Sequence, residues 1–353
     1  MRVLVLGGTG SIGAPLVRTL VARGHQVTAL ARSDRSARRL AELGAAPVAG
    51  DIRTPEAWTA AVSAIDAVVH AALDFASDMG PIDARLLDGL LPALPPKVRF
   101  VYTGGCWLYG ATGGVAATEE TPFDPLPAFA WMVPHLTRVL RSGEVAGMVI
   151  HPAMVYGGAG GVFARFAEDA VQRAAVRVVG GEDVRWPLVH GEDLGLLYAL
   201  AVERGRPGSS YNGAAVDGLA VGRIARTFAA RYGTPSSAPE VMSVEAIVAE
   251  RGEWARGYAL DQSLSGGKAR RELDWAPRHL DPEAEIRALP EGLTPAPPEP
   301  ADGRRRRSCR PPRCAAGDGR DPRSGRRNRG SSPPSAIGRH RGCRRWAHAA
   351  GLG

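Results

Sequence analysis

Three glycines at three-residue spacing follow the first apolar run of the chain. The run VLVL leads directly into GGTGSIG, which places Gly7, Gly10 and Gly13 before the apolar stretch APLVRTLVARG. At such a strand-to-helix turn the first glycine allows a tight turn, the second leaves room for a pyrophosphate, and the third lets the helix pack closely on the sheet. The free N–H groups at the helix start, with Ser11 beside them, favour an anion. The spacing therefore predicts a dinucleotide-binding turn.

The end of the second predicted strand indicates which dinucleotide binds. An acidic residue there would bind the ribose 2′-hydroxyl of NAD, and a basic residue would meet the 2′-phosphate of NADP. The chain reads ALARSDRSARR, so Arg32 stands at the strand end and the first acid, Asp34, comes two residues later. We therefore expect NADP as the preferred cofactor. NAD stays open, because arginines at this place are also typical of a solvated helix face.

Alternating apolar runs and amphipathic stretches must position this turn. The apolar β-branched runs predict strands over 2–6, 26–30, 46–49, 66–70 and 98–102. The amphipathic stretches between them predict helices over 11–23, 34–43, 55–63 and 81–91. Because parallel strands joined by helices take right-handed crossovers, this pattern predicts an α/β fold with a doubly wound parallel sheet of the Rossmann type.

The regular alternation ends after residue 102. A glycine-rich segment, TGGCWLYGATGG, precedes a predicted helix at 128–141 and one more predicted strand at 145–152. Helical and short strand signals then mix, over 161–175, 191–203, 218–231, 243–251 and 265–273. We predict a Rossmann domain over 1–156, to which 177–205 returns, and a smaller C-terminal α/β substrate lobe over 157–288.

Basic residues are concentrated near the C terminus. The net charge of +8 hides a mildly acidic body, because residues 301–353 hold 15 arginines, no lysine and three aspartates. Residues 289–353 are rich in Arg, Pro and Gly and lack periodicity, so disorder is expected. A nucleic-acid-binding tail is the weaker interpretation, since Trp346 is its only aromatic residue. A frameshifted C terminus is preferred, because GC-rich DNA encodes these residue types in any frame.

Membrane and disulfide-rich classes are excluded by composition. No apolar run approaches the roughly 20 residues of a membrane-spanning helix, and the opening MRVLVLGG is too short for a secretory segment. Only Cys106 among the four cysteines lies outside the basic tail, so no disulfide framework is predicted. We expect a cytoplasmic protein without a metal site.

Several further segments, taken with the glycine turn, resemble one protein family. They are GDIR (50–53), VVHAA (68–72), VYTGGCWLYG (101–110), HPAMVYG (151–157), WPLVHGEDLG (186–195) and KARRELDWAP (268–277). In this order they resemble the extended short-chain dehydrogenase/reductase superfamily, in particular its NAD-dependent epimerase/dehydratase group. The resemblance covers about residues 1–285.

The resemblance implies a set of cofactor contacts. Asp51 and Ile52 would flank the adenine, residues 71–73 would line the path toward the nicotinamide, and Thr103 would stand beside the substrate carbonyl. The full expected cofactor set is Gly7, Thr9, Gly10, Ser11, Ile12, Gly13, Arg32, Asp51, Ile52, Ala71, Ala72, Leu73, Thr103, Pro152 and Met154. Asp51 could instead serve only as a turn carboxylate.

The catalytic pair of that superfamily is absent. The resemblance implies a tyrosine and, four residues later, a lysine on one helix face, where the lysine charge lowers the pKa of the tyrosine. This chain reads AFAWMVPHLTRVL there, with Trp131 and His135 at the two positions. Its only lysines, Lys97 and Lys268, lie elsewhere in the sequence.

Other residues must then supply a proton. Thr103, Tyr109 and His135 are the candidate catalytic residues, because a histidine titrates near neutrality and a tyrosine near the cofactor can donate. Packing roles for Tyr109 and His135 stay open. Gly104 follows Thr103 where the family usually has serine, so one hydroxyl remains where two are common. Pro134 is expected to kink the helix.

Two functions follow from these residues. The first is an NAD(P)-dependent oxidoreductase, epimerase or dehydratase acting on a small carbonyl or sugar-like molecule. The alternative is a catalytically silent NADP(H)-binding regulatory or sensor protein, because fold alone does not establish activity. A homodimer through the helices near 81–91 and 128–141 is the partner arrangement that the resemblance implies.

Overall fold

The computed structural model describes residues 1–62, 64–75, 77–157 and 160–291. Within them the strands are β1 (Arg2–Leu6), β2 (Gln26–Ala31), β3 (Ala46–Ala49), β4 (Ala67–His70), β5 (Arg99–Thr103), β6 (Ala146–Pro152), β7 (Met154–Gly157), β8 (Gly160–Gly161), β9 (Arg177–Val179), β10 (Arg185–His190), β11 (Ser210–Gly213), β12 (Val216–Ala220) and β13 (Glu240–Met242). The α-helices are α1 (Gly13–Ala22), α2 (Asp34–Glu42), α3 (Met79–Leu90), α4 (Met132–Leu140), α5 (Phe163–Gln172), α6 (Gly191–Arg204), α7 (Val221–Tyr232), α8 (Val244–Arg251), α9 (Gly267–Leu273) and α10 (Pro282–Ala288).

A parallel seven-stranded sheet forms the centre, in the order β11-β6-β5-β4-β1-β2-β3. Its central strands are buried on both faces, as their β-branched composition predicts, with Val3, Val5 and Val69 fully enclosed. The chain runs outward from β1 first to one side and then to the other. The predicted doubly wound α/β fold is therefore confirmed.

The carboxyl ends of the parallel strands meet at one edge of the sheet. Leu6 pairs with His70, and His70 pairs with Tyr102, so the segments that leave β1, β4 and β5 lie side by side. Thr103 in turn pairs with Ile150 of β6. Ligands of open α/β sheets bind at this edge, where the strand order reverses.

Two further sheets lie outside the central one. Four strands take the order β12-β10-β7-β8, and β13 pairs with β9. Phe163 of α5 meets Phe228 of α7 edge to face, with ring centroids 5.4 Å apart. Helix α6 lies against α1, so part of the 177–205 segment packs beside the first helix. The described residues belong to one compact unit, and the division near residue 156 stays a prediction.

Two local predictions are wrong. Residues predicted as a helix over 55–63 form two 3₁₀ helices instead, Pro55–Ala57 and Thr59–Val62. Between them Trp58 is only 2% exposed and donates its indole N–H to the Asp51 carbonyl, which ties this segment down before a helix can continue. The kink expected at Pro134 has no basis in the structure, because α4 begins at Met132 and Pro134 lies in its first turn. The N–H groups of a first turn make no intrahelical hydrogen bond, so the N–H that proline lacks is not missed there.

The basic tail lies outside the described residues from position 292 onward. Its predicted start is too early, because Leu289 is buried and its carbonyl accepts a hydrogen bond from Arg231. No helix among the described residues is long and apolar enough to cross a membrane.

Candidate active site

The glycine turn is sterically closed to larger residues at two positions. Gly7 has a φ of +85°, and a Cβ there would lie 2.5 Å from the carbonyl oxygen of Ala71. A Cβ at Gly13 would lie 2.0 Å from the carbonyl oxygen of Gly7. Gly10 differs, because a Cβ there would meet only the Gly7 carbonyl oxygen, at 3.6 Å. Packing therefore requires glycine at positions 7 and 13. At position 10 a side chain would fit, and the glycine there instead leaves open space beside the turn.

The start of α1 is prepared for an anion. No side chain caps the helix, and although the Ala14 N–H donates to the Gly10 carbonyl at 2.9 Å, the N–H groups of residues 11–13 have no acceptor among the described residues. Gly10, Ser11 and Ile12 line the adjoining cleft. These features fit the pyrophosphate of a dinucleotide.

The cleft has a volume of about 400 Å³ and runs along the carboxyl edge of the sheet. It brings together the four chain segments expected to hold the cofactor, with Gly10, Ser11, Ile12, Ala71, Ala72, Leu73, Thr103, Pro152 and Met154 in its lining. The other expected residues, Gly7, Thr9, Gly13, Arg32, Asp51 and Ile52, lie outside that lining, in the turn or near the ends of β2 and β3.

The ends of β2 and β3 offer a charged surface for the adenosine half. Arg32 is exposed and makes no hydrogen bond or ion pair with the described residues, so it is available to a phosphate. Asp51 accepts a hydrogen bond from the backbone N–H of Arg53 at 2.9 Å. The Arg53 guanidinium also donates to Asp74 and Ser77, each at 2.9 Å, and so joins this surface to the segment that follows β4.

One buried carboxylate organises the inner end of the cleft. Asp83 on α3 is 1% exposed and accepts three hydrogen bonds. His70 Nε2 lies 2.6 Å from its Oδ1, His135 Nδ1 lies 2.6 Å from its Oδ2, and the Tyr102 hydroxyl donates to Oδ2 at 2.8 Å. We call these four residues the Asp83 cluster. Asp83, His70 and Tyr102 line the cleft, whereas His135 stands behind Asp83 with 17% of its side chain exposed.

The hydrogen bonds fix the protonation pattern of this cluster. Burial alone would raise the pKa of Asp83, but the donors His135, His70 and Tyr102 outweigh it and hold the pKa well below its usual range. Because an ionised carboxylate only accepts, both histidine nitrogens that face it carry a proton. Burial, together with the Asp83 charge, raises the pKa of Tyr102 well above its ordinary value. At rest Tyr102 is therefore neutral and donates to Asp83.

Thr103 lines the cleft at the end of β5. Its Oγ1 lies 2.7 Å from the hydroxyl of Tyr198 on α6. Burial raises the pKa of Tyr198, so that phenol stays protonated and can donate to Thr103. Thr103 then keeps its own proton for a ligand.

Tyr109 does not reach this site. Its hydroxyl donates to Asn212 Oδ1 at 2.9 Å, its side chain is buried, and it is absent from the cleft lining. Burial also raises the pKa of Tyr109, which makes the phenol a poorer acid. The expectation that Tyr109 donates a proton to substrate is corrected, because the geometry gives it a packing role.

Sequence reasoning missed Asp83 and His70. Asp83 stands on the buried stripe of α3 together with Met79, Leu86 and Leu90. A lone carboxylate among apolar residues at helical spacing is the signal that could have found it, because buried charges are paired. His70 lay within the recognised segment VVHAA without being assigned a role. No group of three potential metal ligands occurs among the described residues.

The family comparison agrees with the resemblance seen in the sequence. Residues 3–214 match the NAD-dependent epimerase/dehydratase family. An uncharacterized protein of Schizosaccharomyces pombe is 27% identical over 286 residues, which cover 79% of this chain and 96% of that protein. The 2-alkyl-3-oxoalkanoate reductase of Stenotrophomonas maltophilia is 29% identical over 232 residues, covering 61% of this chain and 69% of the reductase.

Solved structures share the fold at lower identity. Human epimerase family protein SDR39U1 with NADPH has a TM-score of 0.67 at 21% identity and covers 83% of this chain and all of its own. The dTDP-glucose 4,6-dehydratase DesIV of Streptomyces venezuelae, with NAD bound, has a TM-score of 0.68 at 21% identity, covering 82% of this chain and 95% of its own. With the glycine turn, the cleft and the match over residues 3–214, this chain belongs to the NAD-dependent epimerase/dehydratase family.

Proposed function

We propose that this protein is an NAD(P)-dependent oxidoreductase that interconverts a carbonyl compound and its alcohol without a tyrosine-lysine pair. The observation behind this proposal is that the segments expected to hold the cofactor line one cleft together with Asp83, His70 and Tyr102 of the Asp83 cluster. The reductase of S. maltophilia supports an oxidoreductase, since it shares 29% identity with this chain over 232 residues. Arg32, exposed beyond β2, supports NADP over NAD.

The residues divide the work of holding the cofactor. The turn of Gly10 to Ile12 receives the pyrophosphate at the start of α1, and Arg32 meets a 2′-phosphate. Ala71, Ala72 and the Pro152–Met154 segment offer small or apolar walls to the nicotinamide end. When bound in reduced form, the cofactor would supply the hydride.

Thr103 and His135 have separate roles toward the substrate oxygen. Thr103 donates a hydrogen bond to the carbonyl oxygen, because it lines the cleft and the Tyr198 hydroxyl, 2.7 Å from its own, can donate to it. We assign to His135 the proton that the oxygen gains. The Tyr102 hydroxyl, which lines the cleft, gives its proton to the oxygen and takes one from Asp83, to which His135 Nδ1 passes its own proton. The partly exposed His135 ring then takes a proton from solvent, so one proton leaves the cluster and one returns. The hydride forms the new bond at carbon and the proton forms the new O–H bond, so the product is an alcohol.

Asp83 is a positioning residue in this scheme. It fixes the His135 ring through Nδ1, which lies 2.6 Å from its Oδ2. His135 occupies the place where the family resemblance implies lysine.

The test compares His135→Gln and His135→Ala with His279→Gln, a histidine outside the cleft lining. NADPH oxidation is followed with a panel of aldehydes and ketones. Removing a proton donor should lower kcat by about 100-fold or more. NADPH affinity should change little, and added imidazole should partly restore His135→Ala, which a purely structural role would not explain. His279→Gln should behave as the unmodified protein.

Two results would contradict the proposal. Full activity in both His135 variants would remove the histidine from the mechanism. Tight NADPH binding without oxidation by any carbonyl compound would instead identify the alternative function, an NADP(H)-binding sensor.

A further inference from the structure

Aromatic side chains form the outer part of the cleft. Trp107 and Trp254 line it with ring centroids 6.2 Å apart, and Phe75 lies 4.6 Å from Trp254. Phe129 lies 5.4 Å from Trp107, and Tyr258 lies 5.8 Å from it. We call these five residues the aromatic wall. They come from four separate segments of the chain, so the tertiary fold assembles the wall.

The aromatic wall is fixed at its inner side and open at its rim. A Cβ at Gly257 would lie 2.3 Å from the Trp107 indole, so the ring packs directly on backbone that carries no side chain. Phe129 is buried, whereas Phe75 is 51% exposed. Large apolar side chains exposed at the mouth of a cleft are typical of a ligand-binding surface.

The cleft offers no positive charge to a ligand. Among its described lining residues Asp83 alone is charged, and its oxygens are engaged by His70, His135 and Tyr102. The guanidinium of Arg165 lies 5.4 Å from the Tyr258 ring, but Arg165 is buried and absent from the lining. In the outer part of the cleft, away from the start of α1 that receives the cofactor, a diphosphate or carboxylate of the substrate would lose hydration without an ion partner.

We propose that the substrate is an uncharged ketone or aldehyde that carries a flat aromatic ring system. This proposal rests on the proposed oxidoreductase function and names its substrate class. The ring of the substrate lies against the aromatic wall, and burial of apolar surface and ring-ring contacts stabilise the complex. The carbonyl then points inward to Thr103, where hydride addition to carbon and protonation of oxygen give the aryl alcohol and the oxidised cofactor.

The experiment uses the full chain and four probes. They are 2-acetonaphthone, cyclohexyl methyl ketone, 6-acetyl-2-naphthoate and UDP-glucose, which vary the ring, the charge and the diphosphate separately. Calorimetry measures the binding of each probe with and without NADP, and NADPH oxidation measures turnover. We expect 2-acetonaphthone to bind about tenfold or more tightly than the cyclohexyl ketone and the naphthoate, with no binding of UDP-glucose.

A matched pair of variants locates the effect. Trp254→Leu should lower the affinity for 2-acetonaphthone about tenfold and leave that for cyclohexyl methyl ketone nearly unchanged. Tyr232→Leu removes an aromatic ring outside the cleft lining and should change neither affinity.

The outcomes separate this proposal from the proposed function. Equal binding of the two neutral ketones, or preferred binding of the naphthoate or UDP-glucose, overturns the substrate class even if NADPH oxidation occurs. Selective binding of 2-acetonaphthone without its reduction supports the ligand class and overturns the oxidoreductase function. Reduction of an aliphatic ketone with no preference for the aryl ketone supports the oxidoreductase function and overturns the substrate class.

Discussion

The ring of His151 fills the space that a side chain at position 104 would need. A Cβ on Gly104 would lie 2.4 Å from His151 Nδ1, and the ring is held between Tyr109 and Phe123, with centroids 5.5 and 5.4 Å away. Gly104 stands where the family usually has serine. The absence of a serine hydroxyl at position 104 therefore has a steric cause in this chain, and Thr103 carries the one hydroxyl of these two positions.

This contact predicts a coupled pair of substitutions. Gly104→Ser should destabilise the protein by about 1–3 kcal/mol, because the new side chain overlaps a buried ring. In a His151→Ala background the same change should cost clearly less. Urea unfolding of the two single variants and the double variant measures the coupling.

Gly105→Ser is the matched control for this pair. Its backbone is extended, with φ −178°, and a Cβ there meets nothing within 4 Å, so little loss of stability is expected. An equal cost for Gly104→Ser with and without His151 would show that the overlap does not govern position 104.

At the scale of elements, the junction of β1 and α1 separates a folding role from a binding role. Gly13→Ala should destabilise the fold by about 3 kcal/mol, because its Cβ would meet backbone at 2.0 Å. Gly10→Ala should change stability by less than about 1 kcal/mol, yet lower NADPH affinity about tenfold or more by filling the open space. Thermal unfolding and NADPH titration of both variants check this, and equal loss of stability in the two would contradict it.

Most elements could be predicted because their signals are local. Six of the seven strands of the central sheet were predicted within about one residue, since fully buried parallel strands are short apolar runs between polar segments. The edge strand β11 was missed. The 55–63 segment failed because Trp58 is held by the Asp51 carbonyl, a contact that helical periodicity does not encode.

The site was predictable only in part, for the same reason. The glycine turn and Thr103 belong to continuous motifs, and both contribute to the cleft or its supporting turn. The Asp83 cluster joins positions 13, 19 and 52 residues apart, so no spacing rule links them. His135 was singled out, but its partner Asp83 appears only when α3 and α4 pack together.

At the scale of the whole molecule, one buried histidine makes stability depend on pH. Burial lowers the pKa of His151 to about 3, and neither ring nitrogen has a hydrogen-bond partner among the described residues. The unfolded chain binds a proton there near the ordinary pKa of about 6.5. The folded state binds it only at lower pH, so this contribution to stability is present above pH 6.5 and is lost as pH falls toward 3.

The prediction is that His151→Leu flattens this dependence. Between pH 6.5 and 4.5 the unmodified protein should lose about 2 kcal/mol more stability than the variant, since each pKa unit corresponds to about 1.4 kcal/mol. Urea unfolding at several pH values measures the difference. Parallel pH curves for the two proteins would show that His151 is already protonated, or solvated, in the folded state.

The two halves of the cleft are built from different kinds of residue, and this has an evolutionary consequence. The cofactor half uses backbone and small side chains such as Gly10, Ala71 and Ala153, whereas the outer half uses large rings such as Trp107 and Trp254. Exchange of one ring for another reshapes the outer half without disturbing the nucleotide turn. Substitutions among the rings of the outer half can therefore change which ligands the cleft accepts in descendants of this chain, while the dinucleotide-binding turn is inherited unchanged.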